Sequence, residues 1–213
     1  MKLHDKTRRL VVLGMFTAII FLLAFTPIGF IPLPFMRATT IHIPVIVGSL
    51  LLGPKSGGLL GFMFGLVSLI NNTFNPNPTS FVFSPFFNLP GQDSGSWMSL
   101  IIVFVPRILV GVTPWYVCLA LKKIMRERFM PLNWAVSGIA GSLTNTLLVM
   151  HLIFFLFGED WNSVREGTTA IYAAIISIIA INGVPEAIVA GIIVAGLMGA
   201  ITVALGVASV RLL

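Results

Sequence analysis

Arg107 and Glu186 stand out as charged side chains inside long apolar stretches of this chain. On insertion scales a charge at mid-bilayer costs about 2.5 to 3.5 kcal/mol, so each must face a cavity or a partner. Arg107 presents a planar fork of donors suited to a carboxylate or a phosphate. Its neighbour Pro106 can free a backbone carbonyl and bend the helix toward a pocket. Two readings of the pair stay open. Either Arg107 and Glu186 form an internal ion pair that locks a bundle, or they face a polar ligand; both hold in sequence if the ligand displaces Glu186. Asn182 lies four residues before Glu186, which puts amide and carboxylate on one helical face. Asn145 adds a second amide at apparent mid-depth, and buried amides either hold a ligand or bridge helices.

Other chemistry falls away on inspection. His42 and His151 lack an acidic or histidine partner at the spacing of a ligand pair such as H-E-x-x-H, so a hydrogen-bonded packing role is expected and no metal site. Gly48 to Ser56 imitates a phosphate loop, yet Pro54 separates Gly53 from Lys55 where that motif needs them adjacent. No ATPase is visible, and no cofactor is expected. Cys118 is a single cysteine in an apolar helix and reads as packing.

Lipid is the solvent that positions these groups. Of 213 residues, 57% are hydrophobic and 9% charged, against about 25% charged in soluble domains. A span needs on the order of 20 apolar residues to cross roughly 30 Å of hydrocarbon. Spans are expected near 10–25, 39–52, 57–69, 98–121, 133–157 and 176–203. The basic N-terminus followed by Leu10 to Phe25 is read as a retained helix, because no small-residue cleavage site follows it. Pro27, Gly29, Pro32 and Pro34 stop the first span, and Gly53-Pro54-Lys55 turns the chain after the second. Gly57, Gly61 and Gly65 share a face that admits another backbone, as do Ala187, Gly191, Ala195 and Gly199. Gly14 and Ala18 form a small-xxx-small pair that by itself reads as packing within the bundle.

Residues 71–97 form a long connection rich in Asn, Pro and Phe, among them Asn71, Asn72 and Phe83. A loop of that length is uncommon unless it serves as a lid or binding element. Glu159, Asp160, Arg165 and Glu166 make an acidic loop. Ten basic residues fall on one side, namely Lys2, Lys6, Arg8, Arg9, Lys55, Lys122, Lys123, Arg126, Arg128 and Arg211, against Arg37 and Arg165 opposite. The positive-inside rule makes that side cytoplasmic. The expected fold is thus an all-α six-transmembrane-helix bundle in the cell membrane, one domain over 1–213, with both termini cytoplasmic. The net charge of +6 is accounted for by orientation and implies no nucleic-acid partner.

These features together resemble the substrate-binding S-component of an energy-coupling factor (ECF) vitamin transporter, over essentially the whole chain. The resemblance is carried by Gly14-xxx-Ala18, by Ile41-His42-Ile43-Pro44 through Leu52-Gly53-Pro54-Lys55-Ser56-Gly57, by Thr79-Ser80-Phe81-Val82-Phe83-Ser84-Pro85, and by Ile181-Asn182-Gly183 leading to Glu186. It implies that Gly14 and Ala18 contact an EcfT-like transmembrane coupling subunit carrying two EcfA-like cytoplasmic ATPases. It also implies a vitamin enclosed by the external loops and outward helix ends, delivered when the whole subunit topples in the bilayer. The segment from Thr39 to Pro85 is most similar to pantothenate-specific members, and Arg107 would suit that carboxylate. Riboflavin, pyridoxine-type vitamins and folate stay open as substrates. A self-sufficient secondary transporter would show paired broken helices and ion-coupling groups, and an intramembrane enzyme would combine a nucleophile with a base or a metal set. Neither pattern is present in the sequence.

Overall fold

The apolar stretches fold as helices because a backbone surrounded by hydrocarbon must satisfy its polar groups within itself. The structure is a computed structural model that describes residues 3–26, 29–32, 37–124, 129–163 and 171–204. Lys2, Arg126, Arg128, Arg165, Glu166 and Arg211, used above for orientation, lie outside the described residues. Helix α1 (Leu3–Ala24) leads into a short antiparallel hairpin of β1 (Phe30–Pro32) and β2 (Arg37–Thr39), with Phe30 opposite Thr39. The proline-rich loop expected there is therefore partly a strand pair. Then come α2 (His42–Leu52), α3 (Pro54–Phe74), α4 (Ser99–Ile124), α5 (Met130–Ser163), α6 (Ile171–Ile178) and α7 (Val184–Ala204).

Among the described residues, five helical runs are long and apolar enough to cross a membrane, the last of them formed by α6 and α7 together. The sixth segment differs. Helix α2 has 11 residues, about 16 Å of rise, which alone falls short of a hydrocarbon core. Every one of its residues is buried, and it touches α1, α3, α4, α5 and α7. Gly53, at φ +84°, reverses the chain after it, and Pro54 opens α3 where a missing N–H costs nothing.

The glycine repeat of α3 meets α4. A β-carbon on Gly57 would collide with the Gly111 carbonyl oxygen, and one on Gly61 with that of Arg107. At Gly65 it would come within 2.8 Å of the Phe104 ring. The two backbones thus press together along the stretch that carries Arg107. On α7 the small-residue face is shorter than its spacing suggests. Ala187 and Gly191 are buried, but at Gly199 a β-carbon would meet nothing within 4 Å. A four-residue step overshoots a 3.6-residue turn, so such a row drifts about 40° per step around the helix and leaves the interface.

Two helices are interrupted. Helix α5 contains a non-helical residue, Phe157 (φ −139°, ψ 24°). Between α6 and α7, Ile179–Gly183 widen into a π turn in which the Val184 N–H donates to the Ile179 carbonyl. Pro185 follows and has no N–H for the Ile181 carbonyl, so regular α-helix could not have continued through this point unbroken.

Candidate functional site

Proline and arginine at adjacent positions build the centre of the site. In a regular helix residue 106 would donate to the carbonyl of residue 102, and Pro106 cannot. Arg107 takes that acceptor, its Nη1 donating to the Ile102 oxygen at 2.6 Å. Helical side chains lean toward the N-terminus of their helix, which brings the guanidinium back over that turn. It lies between the rings of Phe64 and Phe83, with Cζ 5.6 Å and 5.3 Å from their centroids, an arrangement that holds a cation by its attraction to the ring faces. Arg107 is 5% exposed, and its Nε has no hydrogen-bond partner.

The ion pair between Arg107 and Glu186 considered from sequence is not formed. Glu186 Oε1 instead accepts from the Thr39 N–H at 3.3 Å and lies 3.5 Å from His42 Nδ1. These contacts tie the start of α7 to the junction between β2 and α2. His42 was expected to pack through local hydrogen bonds; it is fully buried beside a carboxylate, and neither ring nitrogen completes a hydrogen bond. His151 does behave as local packing, with Nδ1 2.7 Å from the Leu147 carbonyl. Among the described residues, no group of three or more His, Cys, Asp or Glu could hold a metal ion.

Asn145 is buried on α5 with Oδ1 unpartnered. Asn182 is half-buried on the π turn, where Gly183 packs against the Thr146 side chain. Asn145 and Asn182 thus each adjoin the Thr146–Gly183 contact on the seam between α5 and the last helical run.

Asn71 and Asn72 belong to α3, not to the connection after it. The helix runs on because Asn71 Nδ2 donates to the Ala24 carbonyl at 3.1 Å and Asn72 Nδ2 to Ser68 at 2.9 Å. Their position still serves the loop. The Ser80 hydroxyl lies 3.1 Å from both Asn72 Oδ1 and Asn77 Oδ1, and Thr73 and Ser84 hydroxyls meet at 2.8 Å. So fastened, the short 3-10 turn at Ser80–Val82 buries Phe81, Val82 and Phe83, and Phe81 packs edge-on to Phe157 at the interruption of α5. Phe83 reaches Arg107 by this route.

Gly14 and Ala18 face away from the bundle. Helix α1 packs through Phe16, Ile20 and Ala24, whereas Gly14 and Ala18 are exposed between Leu10, Val11, Met15 and Leu22. A β-carbon on Gly14 would meet nothing. Packing within the bundle, the reading the pair had by itself, does not describe them.

Sequence reasoning missed Thr39, Phe64 and the pairing of His42 with Glu186. Thr39 and Glu186 stand 147 positions apart, and no local pattern joins them. The partnership of Pro106 with Arg107 did carry a signal, the four-residue hydrogen-bond rule.

Three comparisons bear on this arrangement. Residues 8–198 match the family described as ECF transporter, substrate-specific component. The chain is 38% identical to the pantothenic acid transporter PanT of Lactococcus lactis subsp. cremoris, over 80% of each sequence. It is 29% identical to the pantothenate transporter PanT of Leuconostoc mesenteroides subsp. mesenteroides, over 94% of each.

Proposed function

Because the chain belongs to the family of ECF transporter substrate-specific components, we propose that it binds pantothenate around Arg107 and supplies it to an ATP-driven importer of the cell membrane. The observation that carries this reading is the Arg107 guanidinium, buried in an aromatic sandwich with an N–H to spare. Pantothenate has a carboxylate at one end, an amide in the middle and two hydroxyls at the other end. The carboxylate meets Arg107 as a charge-assisted contact. Asn145 on α5, with Asn182 and Glu186 on the last helical run, furnishes amide and carboxylate groups for the polar remainder. Phe83 covers the charge, Asn72 holds the segment that presents it through the Ser80 hydroxyl, and Asn71 braces the end of α3 against α1. Isothermal calorimetry on the purified chain tests the reading. Saturable one-to-one heat with pantothenate, and none with riboflavin, pyridoxine or folate, is expected; monodisperse protein that gives no heat with pantothenate defeats it.

Orientation follows from the basic residues. Lys6, Arg8, Arg9, Lys55, Lys122 and Lys123 gather at one end of the bundle, where Arg9 donates to the Leu52 carbonyl and to Ser56 Oγ (3.1 Å) across the turn between α2 and α3. That end is cytoplasmic, and the hairpin and the 75–98 connection face outward. Both termini are then inside.

Energy comes from elsewhere. A transmembrane coupling subunit receives the exposed face of α1 at Gly14 and Ala18, and two cytoplasmic ATPases hydrolyse ATP. Gly14→Trp is expected to reduce uptake of labelled pantothenate in cells at least tenfold while leaving the calorimetric Kd within twofold of the parent. Unchanged uptake would remove α1 from the coupling interface.

A further inference from the structure

His42 is a buried side chain whose ring nitrogens both lack a completed hydrogen bond. It stands on the first turn of α2, 1% exposed, with Nδ1 turned toward Glu186 Oε1 at 3.5 Å and both ring nitrogens short of a completed hydrogen bond. A neutral imidazole carries one N–H and one lone pair. A carboxylate oxygen on the Nδ1 side favours the tautomer with its proton there, as a donor toward Glu186. Nε2 is then an acceptor in the interior with nothing to accept from. Buried polar atoms in native proteins almost always have a partner, be it protein, ordered water, ion or ligand, so an acceptor left without one is a candidate for ligand contact.

Helix register brings other unfilled groups to the same depth. A β-carbon on Gly141 of α5 would lie 2.7 Å from Ile46 of α2 and 2.8 Å from Pro114 of α4, which fixes these three helices at one level. One turn toward the hairpin end, about 6 Å along each axis, stand His42 on α2 and Asn145 on α5. Arg107 lies two turns up α4, about 10 Å. Asn145 Oδ1 lacks a donor and Arg107 Nε lacks an acceptor. Three helices thus present two hydrogen-bond acceptors near one depth and a cationic donor one turn beyond.

We propose that His42 Nε2, together with Asn145 Oδ1, accepts hydrogen bonds from the hydroxyl-bearing end of the ligand whose carboxylate Arg107 holds. Glu186 is the positioning residue that turns the imidazole and keeps its proton on Nδ1. The site is bipolar: it measures the separation between an anionic group and a neutral hydroxyl donor, and so selects hydroxyl-bearing carboxylates over simple fatty or amino acids of similar length. This inference rests on pantothenate binding at Arg107.

The test compares pantothenate with the analogue in which both hydroxyls are replaced by hydrogen, by calorimetry on the full chain in detergent. The parent protein is expected to bind pantothenate at least tenfold more tightly than the dideoxy analogue. His42→Phe should lose at least tenfold in pantothenate affinity, keep analogue affinity within threefold, and so bring the two ligands within threefold of each other. His42→Gln, which retains polarity but misplaces the acceptor, should reduce the ratio in the same direction. Glu186→Leu removes the oxygen that faces the Nδ1 proton and should lower the ratio. A parent protein that binds both ligands equally overturns the inference and leaves pantothenate binding intact. So does a parent-like ratio in His42→Phe or His42→Gln, even if both affinities fall together. A parent protein that binds neither ligand overturns this inference and the functional reading beneath it.

Discussion

Arg107→Ala is expected to weaken pantothenate binding at least tenfold. A hydrogen bond to a charged group is worth roughly 1.5–3 kcal/mol, and each 1.4 kcal/mol is about tenfold in Kd. Phe64 and Phe83 flank the guanidinium, which is 5% exposed, so its contact with an anion is little screened by bulk solvent. Truncation also strips the Ile102 carbonyl of its donor, at a cost of about 1–3 kcal/mol in stability. Affinity must therefore be measured on the monodisperse fraction. The analogue with a primary alcohol in place of the carboxylate separates the two effects. Arg107→Ala should leave its affinity within threefold, because the charge-assisted contact was never made. Arg107→Lys keeps a charge without the planar fork and should fall between parent and alanine variants. If pantothenate and the alcohol analogue lose affinity equally, Arg107 shapes the site without touching the carboxylate.

Neighbouring glycines on α3 are expected to respond to the same substitution with opposite signs. Gly57→Ala places a methyl group onto the Gly111 carbonyl oxygen. A backbone cannot swing aside as a side chain does, so the loss should exceed the ~1–3 kcal/mol of ordinary overpacking. At Gly58 the new methyl group would lie 3.5 Å from Val112 Cγ2, an ordinary contact. There Ala gains the helix propensity that glycine lacks, about 1 kcal/mol. Thermal unfolding in detergent should show Gly57→Ala melting well below the parent, or failing to purify as a single species, and Gly58→Ala at or above it. Equal melting temperatures would mean that α3 and α4 are not in backbone contact. Since Gly61 abuts the Arg107 carbonyl on the same seam, the Gly57 variant should also lose ligand affinity.

How far the sequence foretold this architecture depends on the range of the interaction. Apolar runs bounded by proline and glycine gave α2 and α4 to within three residues, because lipid leaves the backbone no alternative, while α1, α5 and the last helical run extend five to seven residues past one of their expected bounds. The end of α3 was misplaced. Paired asparagines read as loop, but their side chains cap local carbonyls and reach Ala24, and Pro76 is what keeps Asn75 from continuing the helix. Proline 106 and arginine 107 were legible, since the freed carbonyl lies four residues away. His42 and Glu186 were not, because their meeting requires the first turn of α2 to be enclosed by the last helical run, a fact of packing that neither neighbourhood records. The same limit hid Phe64, which resembles any other aromatic on an apolar helix until Arg107 is placed beside it. Glycine spacing gave the seam but not its partner.

Helix α1 is fastened at both extremities and nowhere clasped around its circumference. Arg9 grips the turn between α2 and α3 at one end, Asn71 holds the Ala24 carbonyl at the other, and one face, the buried Phe16, Ile20 and Ala24 flanked by the half-buried Val12, Leu13, Phe21 and Leu23, lies against the rest. Such a helix works like a handle bolted to a case. Torque applied anywhere along its bare side passes through the two bolts into the whole body, without needing any internal hinge to bend.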